Sequence, residues 1–449
     1  MADQVNIREA CADTLLDMDR SGKMSHIAIG EGLIRLQFAS KQDRAFYTLL
    51  CEGTTERKIY LDYMLDHVSK TKMRKCRPFI RALLRMTAYQ ILFTDVRDAA
   101  ACNEAVNIAR KRGFKSLSGF VNGVLRGLIR NKDLIALPDK DKDPVSRLSV
   151  ACSMPVWIVE KLTGLYGTGQ TERMLEAFLE KRPTTIRVNR ARISPEELAG
   201  ELGSSGIKVE KAPFFSYAYH ISDYNYLGRI PAFKQGLFTV QDVSSMLPAA
   251  LADISPGDYV IDVCAAPGGK TFQAAELVGD HGRVLARDLT EAKTDLIREN
   301  RRRLACPQVR IEEWDARIAD PDLFDKADLV IADLPCSGLG IMGRKNDIKY
   351  RISQDQIRDL VSLQREILSV VWKYVKPGGQ LLFSTCTLTR EENEENIDWI
   401  CRHTPLIPVS IEDRLPVELK DRTGEAGYIK VLPGIDPGDG FFVAKFRRA

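Results

Sequence analysis

From Gly236 onward the chain carries five short apolar runs, each closed by a polar residue or a cysteine. They are DYVIDVC (258–264), GRVLARD (282–288), VRIEEWD (309–315), ADLVIAD (327–333) and GQLLFSTC (379–386), with helical stretches between them. Short apolar runs alternating with helical segments predict a doubly wound α/β fold on a mostly parallel sheet, because parallel neighbours need a crossover long enough to hold a helix. In such sheets ligands bind beyond the carboxyl ends of the strands. The runs end on Cys264, Asp288, Asp315, Asp333 and Cys386, so three carboxylates and two thiols are expected along one edge.

The first third of the chain obeys a different grammar. FIRALLRMTAYQILF (79–93) and FVNGVLRGLIRN (120–131) place apolar residues at three- and four-residue spacing, and prolines are nearly absent, which predicts an all-α unit. LPDKDKDPVSR (137–147) reads as a linker. After a short helical stretch, TTIRVNRARIS (184–194) and GIKVEKAPF (206–214) read as strands around a helix starting near Ser194, a small α+β module. The expected organisation is therefore three domains, 1–140, 150–235 and 236–449, in keeping with a length of 449 residues.

Composition narrows the class. No stretch approaches 18 apolar residues, and MADQVNIREACADTLL lacks the layout of a signal peptide, so a membrane-free, cytoplasmic protein is expected. Ten cysteines occur without a C-x-x-C pair, which predicts reduced thiols and no metal site. Net charge is +4, but residues 1–140 hold 24 Lys+Arg against 16 Asp+Glu, and Lys70–Arg85 contains seven basic residues and no acid. Such a run is either a solvated helix face or an anchor for nucleic acid.

Three motifs carry chemistry. In Asp262-Val-Cys-Ala-Ala-Pro-Gly-Gly-Lys-Thr271, small residues after a strand let backbone approach a ligand, and the following helix offers free N–H groups. A phosphate-binding G-x-x-x-x-G-K-T loop is excluded because Cys264 stands where it needs glycine. Asp288, about twenty residues on, sits where an acid meets ribose hydroxyls, and Asp315 is placed for an adenine edge. The second motif, Asp333-Leu-Pro-Cys-Ser-Gly338, and the third, Ser384-Thr385-Cys386-Thr387, each put a thiol just past an apolar run. A thiolate adding to carbon 6 of a pyrimidine makes carbon 5 nucleophilic toward a methyl sulfonium; a carboxyl at N3, for which Asp333 is placed, would stabilise the developing charge. A base must then take the C5 proton. The residues leave open which of Cys336 and Cys386 attacks. Cys11, Cys51, Cys76, Cys102, Cys152, Cys306 and Cys401 are expected to be packing residues.

DVCAAPGGKT, DLPCSG and STCT resemble the motifs of the Sun/RsmB family of RNA (cytosine-5) methyltransferases. GLFTVQDVSSMLPA (236–249), the segment Gly340–Lys349 and DPGDGFFVAKFRR (436–448) resemble further family segments, and the N-terminal block with FVNGVLRGL resembles the NusB-like RNA-binding domain of the members that act on 16S rRNA. The resemblance covers nearly the whole chain. It implies a Rossmann-like class I methyltransferase domain behind a NusB-like domain and a small α+β module. It further implies S-adenosyl-L-methionine as cofactor, 16S rRNA as partner and a monomer. By position, Cys386 would be the nucleophile, Cys336 the residue that helps release product, and Asp333 the contact to cytosine N3. Cys264, Ala265, Ala266, Pro267, Gly268, Gly269, Lys270, Asp288, Asp315 and Asp333 match cofactor-binding positions. Two departures are Leu334, where alanine is usual, and Arg287, expected to point outward and left without a role. Substrates in tRNA or 23S rRNA are the alternative within this chemistry, and an inactive NusB-like scaffold is the alternative outside it; the intact thiols and loop argue against the scaffold, as the unneeded second cysteine does against a DNA enzyme.

Overall fold

The structure, a computed structural model, describes residues 5–422 and 427–449. The chain divides into two compact units, Met1–Leu179 with Met342–Arg351, and Glu180–Ile341 with Ile352–Ala449.

The first unit is helical. Helix Ile7–Ser21 starts where the Asn6 side chain accepts the N–H groups of Arg8 and Glu9. Helices Lys41–Glu56, Lys58–Val68, Pro78–Phe93 and Ser118–Asn131 bury Tyr47, Leu50, Leu61, Leu65, Leu83 and Leu125 together with it. Helix Ser25–Arg35 has no side-chain cap from its own N-cap, Met24. Its cap comes from far along the chain: the Asp347 carboxylate accepts the Ser25 N–H at 3.0 Å and its hydroxyl at 2.7 Å, a charge well placed at a helix N-terminus. Beside it, Lys349 Nζ donates to the Glu56 carbonyl at 2.9 Å, and Tyr350 Oη lies 3.1 Å from Ser153 Oγ. Residues 342–351 are thus part of this unit's packing.

The basic run is divided by the fold. Lys70, Lys72, Arg74, Lys75 and Arg77 are exposed. Arg85 is buried and forks onto Asp62 at 2.7 and 2.6 Å, and Arg81 reaches Asp19 at 3.2 Å, so the last two cations serve the helical core instead of a partner. Among the cysteines expected to pack, Cys11, Cys51, Cys76, Cys102, Cys152 and Cys306 are buried, and Cys11 Sγ lies 3.3 Å from Cys51 Sγ. Cys401 is exposed, contrary to expectation, because helix Glu394–His403 buries Asn396, Ile397 and Ile400 and leaves position 401 on its outer side.

The second unit holds two sheets. Strands β1 (Thr184–Val188), β2 (Lys208–Lys211), β3 (Ala218–Ser222) and β4 (Phe238–Val240) form an antiparallel sheet in the order β2-β3-β1-β4. Helix Pro195–Ser204 packs on it behind a Ser194/Glu197 capping box. Buried Arg187 on β1 bonds Gln241 at 2.8 Å and pairs with Glu276, tying the small sheet to the helix that follows the first strand of the large one.

The large sheet contains β5 (Tyr259–Asp262), β6 (Arg283–Asp288), β7 (Val309–Glu313), β8 (Ala327–Asp333), β9 (Val375–Thr385), β10 (Leu406–Pro408), β11 (Tyr428–Val431) and β12 (Phe441–Arg448). Its order is β10-β12-β9-β8-β5-β6-β7, with β11 on β12. Strands β5 to β9 are parallel and the rest antiparallel. Alternate residues feed opposite cores: Val260, Val284, Ile331 and Leu382 on one face, Ile261, Leu285, Val330 and Leu381 on the other. The order reverses at β5, flanked by β6 and β8, and a ligand crevice belongs at that switch point. Among the described residues no single helix is long and apolar enough to cross a membrane, and no three His, Cys, Asp or Glu side chains group to hold a metal ion.

Candidate active site

The loop after β5 turns at Gly268, whose φ of 108° disfavours any side chain; a Cβ there would also stand 2.3 Å from the Phe272 ring. Helix Gly269–Val278 begins at once, with no side-chain cap on its first N–H groups. A cavity lies against this start, walled by Asp262, Cys264, Ala266, Gly269, Lys270 and Asp333. Ala265 and Pro267 line it as well. One oxygen of Asp262 accepts the Thr271 hydroxyl at 2.6 Å, while Oδ1 is buried without a partner. Burial pushes the Asp262 carboxyl up to about 7. Burial and the carboxylates of Asp288, Asp262 and Asp333 push the Cys264 thiol up, so Cys264 is a neutral wall.

The acids at the strand ends have distinct surroundings. Asp333 accepts Lys270 Nζ at 2.6 Å on one oxygen and the Ser384 hydroxyl at 2.8 Å on the other. Asp288 is buried, accepts the Ala266 N–H at 2.9 Å and pairs with Lys293 at 2.9 Å, which fixes the loop from below. Asp315 lies two residues past β7, and the Arg317 guanidinium, bonding both its oxygens, holds its carboxyl below the usual range. Asp262, Asp333, Lys270 and residues 264–267 are therefore brought to one cavity, whereas Asp288 and Asp315 do not line it and are paired with Lys293 and Arg317. Arg287 does not point outward. It is buried and paired with Glu312 at 2.6 Å and Asp320 at 2.5 Å, because its alternate position on β6 turns it toward acids of neighbouring segments.

The two remaining thiols meet. Cys336 Sγ and Cys386 Sγ are 3.2 Å apart at the adjoining carboxyl ends of β8 and β9. The Gly340 N–H donates to the Cys386 carbonyl at 2.9 Å, and a Cβ on Gly340 would stand 2.2 Å from the Gly440 carbonyl oxygen, so only glycine lets these segments cross. Leu334 buries its side chain in the core and presents no polar group to the site. The contact of Cys336 with Cys386, the burial of Cys336 and the nearby Glu392 charge raise the Cys336 thiol well above the ordinary range. Either sulfur can be the donor in this contact.

Three groups were not singled out by sequence: Asp262 as an orphan acceptor, Ser384 on Asp333, and Glu392. The last stands in the acidic run EENEEN (391–396), which reads as an ordinary solvated helix start. The Ser and Thr residues flanking both cysteines were the available signal, since hydroxyls beside a buried site imply a shared acceptor.

Known proteins are similar throughout. A family described as 16S rRNA methyltransferase RsmB/F matches residues 249–447, the NusB family matches 5–130, and a ferredoxin-like domain of RsmF/B-like methyltransferases matches 154–224. A Bacillus subtilis protein named probable ribosomal RNA small subunit methyltransferase B is 35% identical over 451 residues, covering 99% of each chain. Ribosomal RNA small subunit methyltransferase B of Salmonella arizonae is 31% identical over 91% of each. Among solved structures, PH0851 superposes with a TM-score of 0.81 at 25% identity over 99% of each chain. A methyltransferase homolog from Pyrococcus horikoshii gives 0.58 at 26%, over 68% of this chain and 99% of the other. With paired thiols beside the loop cavity and kinship along its entire length, the chain belongs to the ribosomal RNA small subunit methyltransferase B family.

Proposed function

We propose that this protein methylates carbon 5 of a cytosine in 16S rRNA, with S-adenosyl-L-methionine as methyl donor and Cys386 as nucleophile. The observation that carries the reading is the 3.2 Å pair of thiols at the ends of β8 and β9. The cavity suits the cofactor. The orphan Asp262 Oδ1 offers an acceptor and a charge to a cationic ligand, small residues 264–269 allow close approach, and Asp288 and Asp315 would exchange Lys293 and Arg317 for ribose and adenine. When bound, that group supplies an electrophilic methyl.

The chain's own residues do the rest. Cys386 gives up its proton and its sulfur bonds carbon 6, which loads carbon 5 with electron density. Asp333, already fixed by Lys270 and Ser384, would meet N3 and supply there the proton that offsets the negative charge developing in the ring. After carbon 5 is alkylated water takes its proton, the electrons of that C–H bond re-form the C5–C6 double bond, and the sulfur–C6 bond breaks with its electrons on Cys386, which regains a proton. Cys336, within hydrogen-bond reach, serves this release step. The exposed cations Lys70, Lys72, Arg74, Lys75 and Arg77 contribute salt-dependent attraction to phosphates.

Mapping 5-methylcytosine in 16S rRNA from a deletion strain tests the reading. Loss of one methylated position, restored by the parent gene and not by Cys386→Ala, is the expected result. An unchanged 16S pattern with a loss in tRNA or 23S rRNA would move the substrate, and no loss anywhere would end the proposal.

A further inference from the structure

We infer that Glu392 is a positioning residue that clamps the Cys336 loop onto the Cys386 loop and makes the two thiols chemically unequal. The inference rests on the catalytic reading of those thiols.

Glu392 is fully buried. Among the described residues no lysine or arginine pairs with it; dipoles alone satisfy it. One oxygen accepts the Ser337 N–H at 2.8 Å. The other accepts the Ser337 hydroxyl at 2.6 Å and the Thr389 hydroxyl at 2.7 Å, and the Thr387 hydroxyl, 3.2 Å from it, gives its proton to Ser337 Oγ. A buried carboxylate is costly to maintain unless its lone pairs are filled, and these donors fill them. Ser337 adjoins Cys336 and Thr387 adjoins Cys386, so one side chain spans the two loops, and a 2.6 Å bond between the Ser337 and Thr387 hydroxyls closes the clamp. The helix Gln354–Val371 closes the remaining side with a neutral amide: Gln364 Nε2 lies 3.4 Å from Glu392 and 2.8 Å from the Pro335 carbonyl. Arg365 on the same helix is held by Asn396.

The groups that bear on the Cys336 charge are thus Cys386 and Glu392, from the β9 side, which oppose it, and the Gly338 N–H, which favours it. An uncompensated anion in a dry site opposes a second negative charge beside it. The proton stays on Cys336, the shared hydrogen bond runs from Cys336 to Cys386, and the sulfur of Cys386 is the one left to attack. Without the anion the two thiols would compete for one role.

The test has one arm without RNA. In a Cys386→Ser background, so that one thiol of the pair reports, Cys336 is alkylated with iodoacetamide across a pH series and followed by peptide mass spectrometry, with exposed Cys401 as internal reference. Glu392→Gln should move the Cys336 midpoint down by about one pH unit while Cys401 stays put. Glu392→Asp, which keeps the charge, should restore most of the parent value. An unmoved Cys336 midpoint overturns the inference. In the second arm, with Cys386 present, 16S rRNA and S-adenosyl-L-methionine are supplied. Glu392→Gln should cut turnover at least about tenfold with KM for RNA unchanged, and should accumulate a covalent protein–RNA adduct on a denaturing gel. Parent turnover without adduct overturns it. If the parent itself transfers no methyl while the alkylation shift is present, the functional reading fails and the inference about the thiols stands. Should Glu392→Gln not fold, Ser337→Ala loosens the same clamp from its other end, and parent turnover in that variant overturns the inference.

Discussion

Two pairs of thiols lie at almost the same separation, Cys11 and Cys51 at 3.3 Å, Cys336 and Cys386 at 3.2 Å. The first pair is fully buried between helices among Leu50, Leu61 and Tyr47. Burial, then the bond to Cys51, raises the Cys11 thiol well above its ordinary range. The second pair sits at the edge of a sheet, partly exposed, beside a carboxylate that a lysine holds and another that no cation holds. Distance between sulfurs alone therefore does not tell the two pairs apart; their place in the fold does. Access for a substrate and an asymmetric electrostatic surrounding turn one pair into a candidate catalyst, and their absence leaves the other as packing.

That contrast breaks first if Cys386→Ala retains methyl transfer. The expected loss is at least about a thousandfold, read as tritiated methyl incorporated into naked 16S rRNA. Next in size is Cys336→Ala, in which a stable RNA adduct and a turnover reduced roughly tenfold or more are expected on a denaturing gel and in steady-state assays; an adduct in Cys386→Ala instead would interchange the two roles. A third expectation concerns pH. Asp262 titrates at about 7 when free, and a cationic cofactor favours its ionised form. Cofactor affinity should therefore rise as pH increases through 7 and weaken up to about tenfold per unit below it. Calorimetry giving equal affinity at pH 6 and 8 would remove Asp262 from the cofactor's surroundings. The smallest effect belongs to the packing pair. Cys51→Ala should lower unfolding stability by about 1 kcal/mol through a small cavity and leave methyl transfer at the parent level. A loss of activity beyond the loss of folded protein would give that pair a function.

The short apolar runs and the helical spacing made the sheet and the helical unit legible, and the gathering of Asp333, Cys336 and Cys386 followed because each stands at or just past the end of such a run. What stayed hidden depends on partners distant in sequence or on side-chain direction. Arg287 read as an outward residue because nothing near it announces Glu312 and Asp320. Glu392 looked like one acid among five in EENEEN and its flanks, and only folding shows that Glu394 meets Lys430 while Glu392 meets hydroxyls. Asp315 matched a motif position, yet Arg317, two residues away, already occupies both its oxygens. The choice between Cys336 and Cys386 came from family likeness, because local sequence assigns no charge to either sulfur.

The helical unit includes residues 342–351 from much later in the chain, among them the Asp347 carboxylate that caps helix Ser25–Arg35. During synthesis residues 5–179 emerge early, but the cap is made only after residues 180–341 have been added. At about 5–20 residues per second that interval lasts roughly ten to thirty seconds. A nascent chain therefore carries an unfinished helical unit until the loop bearing Cys336 has itself been made.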